Sequence, residues 1–164
     1  MNEADIKDII VRKMRPGDLK EVLAIEKVSF PTPWSENMFL EELYSPICYD
    51  FVATSDGEVV GYIDFLTVLD EIHLQNIAVR EDRKRRKIAS KLLGEMFRIS
   101  SEKGINWCSL EVRKSNYAAI TIYKKFGFVI SGTKSCYYSD TREDALIMRA
   151  AIGKTVLTPI SHLS

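Results

Sequence analysis

The chain has 164 residues, 46% hydrophobic and 28% charged, enough for one domain with a buried core and too few for two ordinary ones. Its 23 basic and 23 acidic residues cancel to a formal net charge of zero, which argues against a generally basic nucleic-acid binder. The cancellation conceals a segregation. No Lys or Arg occurs from Val28 through Val79, where Glu36, Glu41, Glu42, Asp50, Asp56, Glu58, Asp64, Asp70 and Glu71 lie; Arg80, Arg83, Lys84, Arg85, Arg86 and Lys87 then follow almost together. Such a pattern suggests two surfaces with different partners.

Ile9 to Met14 reads as a short strand. Pro16 suits the first turn of a helix, and Leu19, Val22, Leu23 and Ile25 to Glu26 continue it at helical spacing toward Ser29. Phe30-Pro31-Thr32-Pro33-Trp34 breaks it, because each proline restricts itself and the residue before it. Ser35 is placed to cap a second helix through about Tyr44. Tyr49 to Thr54 is a strand, and Asp56-Gly57 is a hairpin turn that tolerates positive φ. Val59 to Leu69 and Ile72 to Val79 are further strands, hinged near Asp70-Glu71. Ile88, Leu92, Leu93, Met96 and Ile99 mark one face of a long helix that Gly104 ends. Trp107 to Arg113 is a strand. Ser115 or Asn116 caps a helix with Ala119, Ile122, Tyr123 and Phe126 inward, and Gly127 stops it. Phe128 to Thr133 and Ala145 to Ala150 are the last strands. This order predicts a mixed sheet covered by helices, as a single domain over residues 1–153 with a loosely held tail at 154–164.

No apolar run approaches the roughly 18 residues of a membrane span, and the N-terminus lacks the basic-then-apolar order of a secretion signal. A cytoplasmic protein without a membrane partner is expected. Cys48, Cys108 and Cys136 form neither a paired framework nor a CxxC site and read as buried, reduced thiols. His73 and His162 are too few and too distant for a metal cluster, so no metal is expected.

The basic run Arg83 to Lys87 stands at the start of the long helix, where cations oppose the helix dipole and the first backbone N–H groups lack partners. A bound polyanion relieves both, and a strand, short loop and helix suit a nucleotide-type cofactor. A solvated charged loop and a nucleic-acid patch are the alternatives. Residues 80–91 hold no aromatic to stack on bases, which weakens the second. Further on, Glu111 lies between Leu110 and Val112 and faces opposite to both. A carboxylate within an apolar strand must reach water, a partner or a substrate. Tyr123 offers a phenol from a helix's apolar face. The two suit a proton acceptor and a proton donor; an ion-paired Glu111 and a core Tyr123 are the structural alternative.

Over about residues 10 to 150 the sequence resembles the GNAT superfamily of acetyl-CoA-dependent N-acetyltransferases. Within it, the chain looks like the branch that acetylates protein N-termini, including ribosomal-protein alanine acetyltransferases. The resemblance rests on Phe30-Pro31-Thr32-Pro33-Trp34-Ser35, Val68-Leu69-Asp70-Glu71, Asn76-Ile77-Ala78-Val79, Leu110-Glu111-Val112-Arg113-Lys114-Ser115-Asn116, Ala118-Ala119-Ile120, Tyr123-Lys124-Lys125-Phe126-Gly127-Phe128 and the segment from Tyr137 to Met148, in this order and spacing. It implies the GNAT fold, a mixed α/β class with a central, mostly antiparallel sheet flanked by helices.

The resemblance also implies roles. Lys84, Arg85, Arg86, Lys87, Ile88 and Ala89 match the loop whose backbone amides cradle the coenzyme A pyrophosphate. Ile77, Ala78 and Val79 match the strand that pairs with the pantetheine arm, and Asn116 matches a residue that contacts it. Glu111 aligns with the general base and Tyr123 with the general acid that protonates the leaving thiolate. Phe30, Pro33 and Trp34, with Tyr137 and Tyr138, match the segments that hold the acceptor peptide. One departure stands out: Lys87 replaces the family glycine, and Lys84 occupies the loop's first position. A left-handed backbone at Lys87 costs about 1–2 kcal/mol, whereas a right-handed one lets the side chain point away.

The implied reaction is direct transfer from acetyl-CoA to a protein α-amine in a ternary complex, since no cysteine aligns with an acetyl-enzyme nucleophile. An α-amine near pKa 7.7–8.0 needs only a modest base, and backbone N–H groups near Ile77 to Val79 suit the developing oxyanion. The acidic stretch suits neutral or cationic peptide ends, with ordinary solvated acids as the alternative. Acetylation of lysine or small amines, and a catalytically weak CoA-binding regulatory module motivated by Lys87, stay open. So does docking of Arg83 to Lys87 on ribosomal RNA. A monomer or weak dimer without direct DNA binding is expected.

Overall fold

The structure is a computed structural model and describes residues 8–84 and 87–152. Its strands are β1 (Ile9–Lys13), β2 (Cys48–Ser55), β3 (Glu58–Val68), β4 (Glu71–Val79), β5 (Trp107–Arg113), β6 (Val129–Lys134) and β7 (Ala145–Ala151). Its α-helices are α1 (Leu19–Ser29), α2 (Glu36–Tyr44), α3 (Ile88–Glu102) and α4 (Tyr117–Lys125). The predicted elements match these within a residue or two, except that Pro16–Asp18 forms a 3-10 turn and the helix expected to begin there starts at Leu19. The predicted tail lies outside the described residues.

The chain divides into two compact units. One comprises residues up to Thr67 together with Leu74–Met96; the other comprises Val68–His73 together with residues from Phe97 onward. In the first, the strands run in the order β1-β2-β3-β4, with β2 antiparallel to both β1 and β3. Asp56 and Gly57 join β2 to β3 with φ of 50° and 79°, the left-handed pair that a tight hairpin turn requires. The proline-rich break separates α1 from α2, and Ser35 accepts the N–H of Met38 to cap α2 as its sequence predicts. Val22, Ile25, Phe39, Val52 and Tyr62 share one buried core. Gly61 sets the approach of α3. A Cβ there would meet the Ala78 carbonyl oxygen at 3.0 Å and Ile88 Cγ2 at 3.1 Å.

In the second unit β7 lies between β5 and β6, antiparallel to both. Asn116 caps α4, accepting the Ala119 N–H at 3.2 Å. Gly127, at φ 89°, follows the helix end as expected. The inner face differs from prediction by one position. Ile120 and Tyr123 are buried, whereas Ala119, Ile122 and Phe126 are half-buried. The cysteines also depart from expectation. Only Cys108 is buried; Cys48 is half-buried and Cys136 exposed, and all three are free thiols.

The acidic stretch is not one surface. Asp50 and Asp64 face each other across β2 and β3, at 8% and 0% exposure. Both Asp64 oxygens lack a hydrogen-bond partner among the described residues. Burial pushes the Asp50 carboxyl up to about 6, and burial followed by the Asp50 charge pushes Asp64 well above the usual range. The folded state thus holds protons that an unfolded carboxyl, near 3.9, releases. Stability is fully present below about pH 4 and declines as pH rises through 6 and beyond. Asp64→Asn has no such proton to lose. Its melting temperature is expected to match wild type near pH 4 and to exceed it by at least about 2 °C at pH 8, read by thermal unfolding across that range.

Candidate active site

The residues singled out by sequence divide between the units. The first holds the loop before α3 and the strand that leads to it. Ala78 is buried and Ile77 and Val79 are half-buried on β4. A short 3-10 turn, Glu81–Arg83, follows, and its acids partly neutralise the basic run. Lys84 Nζ pairs with Glu81 at 2.8 Å, and Arg80 Nε pairs with Asp82 at 2.7 Å. Arg85 and Arg86 lie outside the described residues. Lys87 has φ 58°, so the backbone takes the left-handed conformation and not the right-handed alternative. Its carbonyl accepts the Lys91 N–H at 3.1 Å and opens the α3 ladder. Lys87 thus stands at the helix N-cap with its side chain exposed, while Ile88 is buried and Ala89 half-buried. A residue of this hand stands before the first turn of α3, where backbone N–H groups without intrahelical partners offer an anion such as a pyrophosphate a place to bind.

The same unit carries the proline-rich segment. Phe30 and Trp34 pack against the core, and the Trp34 ring meets that of Phe39 at 5.2 Å. Pro33 is exposed. Beneath them lies a residue whose role the sequence did not disclose. Glu26, 1% exposed, accepts the Trp34 N–H at 2.9 Å, both bonds from Asn76 Nδ2 at 3.1 Å, and the Tyr62 hydroxyl. One carboxyl group therefore ties α1, the proline-rich segment, β3 and β4 together. The signal for it was an acid on the apolar face of α1, four residues after Val22.

In the second unit Ser109, Glu111 and Arg113 share one face of β5, opposite the buried Cys108, Leu110 and Val112. Glu111 does not stand alone. Its Oε2 lies 3.0 Å from His73 Nε2, and its Oε1 lies 2.9 Å from Lys134 Nζ. The His73 hydrogen bond, joined by Lys134, holds the Glu111 carboxyl down at about 2. Sequence reasoning singled out neither partner for this role, since neither lies near Glu111 in the chain. Lys134 also sits 5.0 Å from the centre of the Tyr137 ring. Tyr137 and Tyr138 meet edge to face at 5.1 Å, and Arg113 lies 4.0 Å over the Tyr138 ring. Burial pushes the Tyr138 phenol up to about 12. Arg113 in turn pairs with Asp140 at 2.8 Å, which fastens the segment after β6 to β5.

Asn116 commits its side-chain oxygen to the α4 cap and keeps its amide N–H₂ as donor. Tyr123 is 8% exposed, and its ring packs on Phe128 at 5.7 Å. Burial raises its pKa, so it is a neutral phenol that can donate a proton. Burial likewise raises Cys108 and takes Cys48 to about 11, the reverse of an activated thiolate. Among the described residues no group of three or more His, Cys, Asp or Glu side chains could hold a metal ion, and no helix is long and apolar enough to cross a membrane.

Residues 19–128 match the acetyltransferase (GNAT) family, and the chain belongs to it. The mixed α/β fold expected from sequence is the one adopted. The [ribosomal protein bS18]-alanine N-acetyltransferase of Escherichia coli K12 is 34% identical over 147 residues, covering 87% of this chain and 97% of that protein. An N-alpha-acetyltransferase of Sulfurisphaera tokodaii is 33% identical over 159 residues, covering 89% and 95%. The crystal structure of the Escherichia coli ribosomal-protein-S18-alanine N-acetyltransferase matches with a TM-score of 0.82 at 30% identity, over 95% of this chain and 99% of that one.

A lysine in the left-handed region costs about 1–2 kcal/mol, and glycine returns roughly 0.5–1 kcal/mol of that as added unfolded-state freedom. Lys87→Gly is therefore expected to stabilise the protein by about 0.5–1 kcal/mol in chemical denaturation, with acetyl-CoA affinity retained.

Proposed function

We propose that the protein transfers the acetyl group of acetyl-CoA to the α-amine at a protein N-terminus, with a ribosomal protein as the acceptor, in the cytoplasm. The observation that carries this reading is the open face of β5, where a carboxylate, an imidazole and an ammonium group adjoin two tyrosines. The bS18 and N-alpha acetyltransferases named above support the acceptor class.

Acetyl-CoA supplies the thioester whose acetyl group is transferred. Residues 84–89 would hold its pyrophosphate through backbone N–H groups at the start of α3, which follows the left-handed Lys87. Ile77 to Val79 and Asn116 hold its arm. Trp34, fixed through Glu26, and the Tyr137–Tyr138 pair hold the acceptor. Glu111 belongs to the base and Tyr123 is the acid that gives a proton to the departing sulfur. A Glu111 carboxyl at about 2, acting alone, is poorly matched to an α-amine near 7.7–8.0. Cys48 and Cys108, whose thiols burial raises, are unsuited to carry the acetyl group.

An N-terminal peptide library incubated with acetyl-CoA and read by mass spectrometry tests the acceptor. Acetylation of α-amines is expected; acetylation confined to lysine side chains would replace this reading with a lysine-directed one, and binding of acetyl-CoA without turnover would replace it with a regulatory module. Tyr123→Phe is expected to lower kcat by about 100-fold or more with acetyl-CoA affinity retained.

A further inference from the structure

The proline-rich segment, residues 30–34, has few ways to be held. Pro31 and Pro33 carry no backbone N–H, so only Phe30, Thr32 and Trp34 can donate from its main chain. Glu26 accepts from two of these. Its carbonyl oxygen takes the Phe30 N–H at 3.1 Å, and its side-chain Oε1 takes the Trp34 N–H at 2.9 Å. One residue thus closes both ends of the segment, and between them Pro31, Thr32 and Pro33 stand exposed. The Trp34 ring reaches the same anchor by a second route. It meets Phe39 at 5.2 Å, Phe39 meets Tyr62 edge to face at 5.7 Å, and the Tyr62 hydroxyl donates to Glu26 Oε2. Asn76 Nδ2 reaches both Glu26 oxygens at 3.1 Å and ties the anchor to β4. All of these groups lie in the first unit. Glu26 is 1% exposed, and a buried carboxyl is a costly way to fill the apolar face of α1. It contributes what an apolar side chain cannot, a fixed place for the Trp34 N–H.

We infer that Glu26 is a positioning residue of the acetyl transfer, holding residues 30–34 as a preformed platform for the acceptor's N-terminal residues at a set place beside β4. This rests on the acetyltransferase reading above, which gives Phe30, Pro33 and Trp34 to the acceptor. Glu26 acts on the reaction only through that segment. A loop fixed before its ligand arrives loses little conformational freedom on binding. Released from Glu26, the segment has to be ordered by the acceptor itself, and the acceptor's affinity falls. The site of acetyl-CoA is spared, because β4 keeps its place between β3 and β5 in the sheet.

Glu26→Asp draws the carboxyl back by one methylene from the Trp34 N–H, whereas Glu26→Gln keeps the length and an oxygen to accept it. With acetyl-CoA and one peptide that the wild-type protein acetylates, Glu26→Asp is expected to raise the peptide KM about tenfold or more and to leave the acetyl-CoA KM within about threefold. Glu26→Gln is expected to stay within about threefold of wild type in both. Val22→Ala, which opens a space in the same core, shows the effect of lost stability alone: a lower kcat from fewer active molecules and an unchanged peptide KM. In a Trp107→Phe background Trp34 is the remaining tryptophan, and Glu26→Asp, unlike Glu26→Gln, is expected to open its emission to acrylamide quenching. A Glu26→Asp peptide KM within about threefold of wild type overturns the proposal and leaves the acetyltransferase reading intact, whatever the change in kcat. A rise shared equally by both KM values, or produced equally by Glu26→Gln, overturns it too. If Glu26→Asp no longer unfolds cooperatively, Tyr62→Phe replaces it. Loss of that donor to Oε2 is expected to raise the peptide KM about threefold or more with the acetyl-CoA KM unchanged, and an unchanged peptide KM overturns the proposal. A wild-type protein that acetylates no peptide overturns the reading and this proposal together.

Discussion

A carboxyl group removed from water must be hydrogen-bonded or it destabilises the fold, and Glu26 meets that demand with donors from three different segments. The requirement works in both directions. Tyr62 and Asn76 satisfy Glu26, and in doing so they are held on β3 and β4 in fixed positions relative to α1. The Trp34 N–H completes the set and fixes where the chain leaves its proline-rich turn. Asn76 immediately precedes Ile77, so the strand assigned to the pantetheine arm and the segment assigned to the acceptor are oriented by one side chain.

The second unit solves a related problem by another route. Glu111 sits on the more open face of its strand, and a cation and an imidazole surround it. Arg113, one alternation further along β5, repeats the device with Asp140 and Glu143 and a tyrosine ring above it. Polar pairs along one strand face therefore secure the segment that carries Tyr137 and Tyr138. The apolar face of the same strand, through Cys108, Leu110 and Val112, belongs to the buried core.

The elements themselves were legible because local signals agreed with them. Prolines 31 and 33 end α1, Ser35 and Asn116 cap their helices, Asp56-Gly57 turns the hairpin, and the Ile88 to Ile99 stripe is buried. Alternation alone placed Glu111 on the face opposite Leu110 and Val112. Its partners were not legible, because His73 and Lys134 come from other strands, and pairing across strands is set by register, which no local pattern records. Asp64 was hidden for a similar reason. An acid in a strand reads as solvent-facing until tertiary packing covers its side, and here its cross-strand neighbour is a second acid. The left-handed backbone of Lys87 contradicted its residue type, and only the family's glycine at that place hinted at it.

Lys134 has a consequence beyond geometry. It is the exposed member of its pair with Glu111, 44% open to solvent against 17%. Dissolved ions screen such a cation far more than they screen a hydrogen bond formed inside the strand face. As ionic strength rises, the ammonium's hold on Oε1 weakens while the His73 contact on Oε2 persists. The carboxylate thus passes from two partners toward one without any change of fold, and the medium itself sets how firmly β6 is tied to β5 at this point.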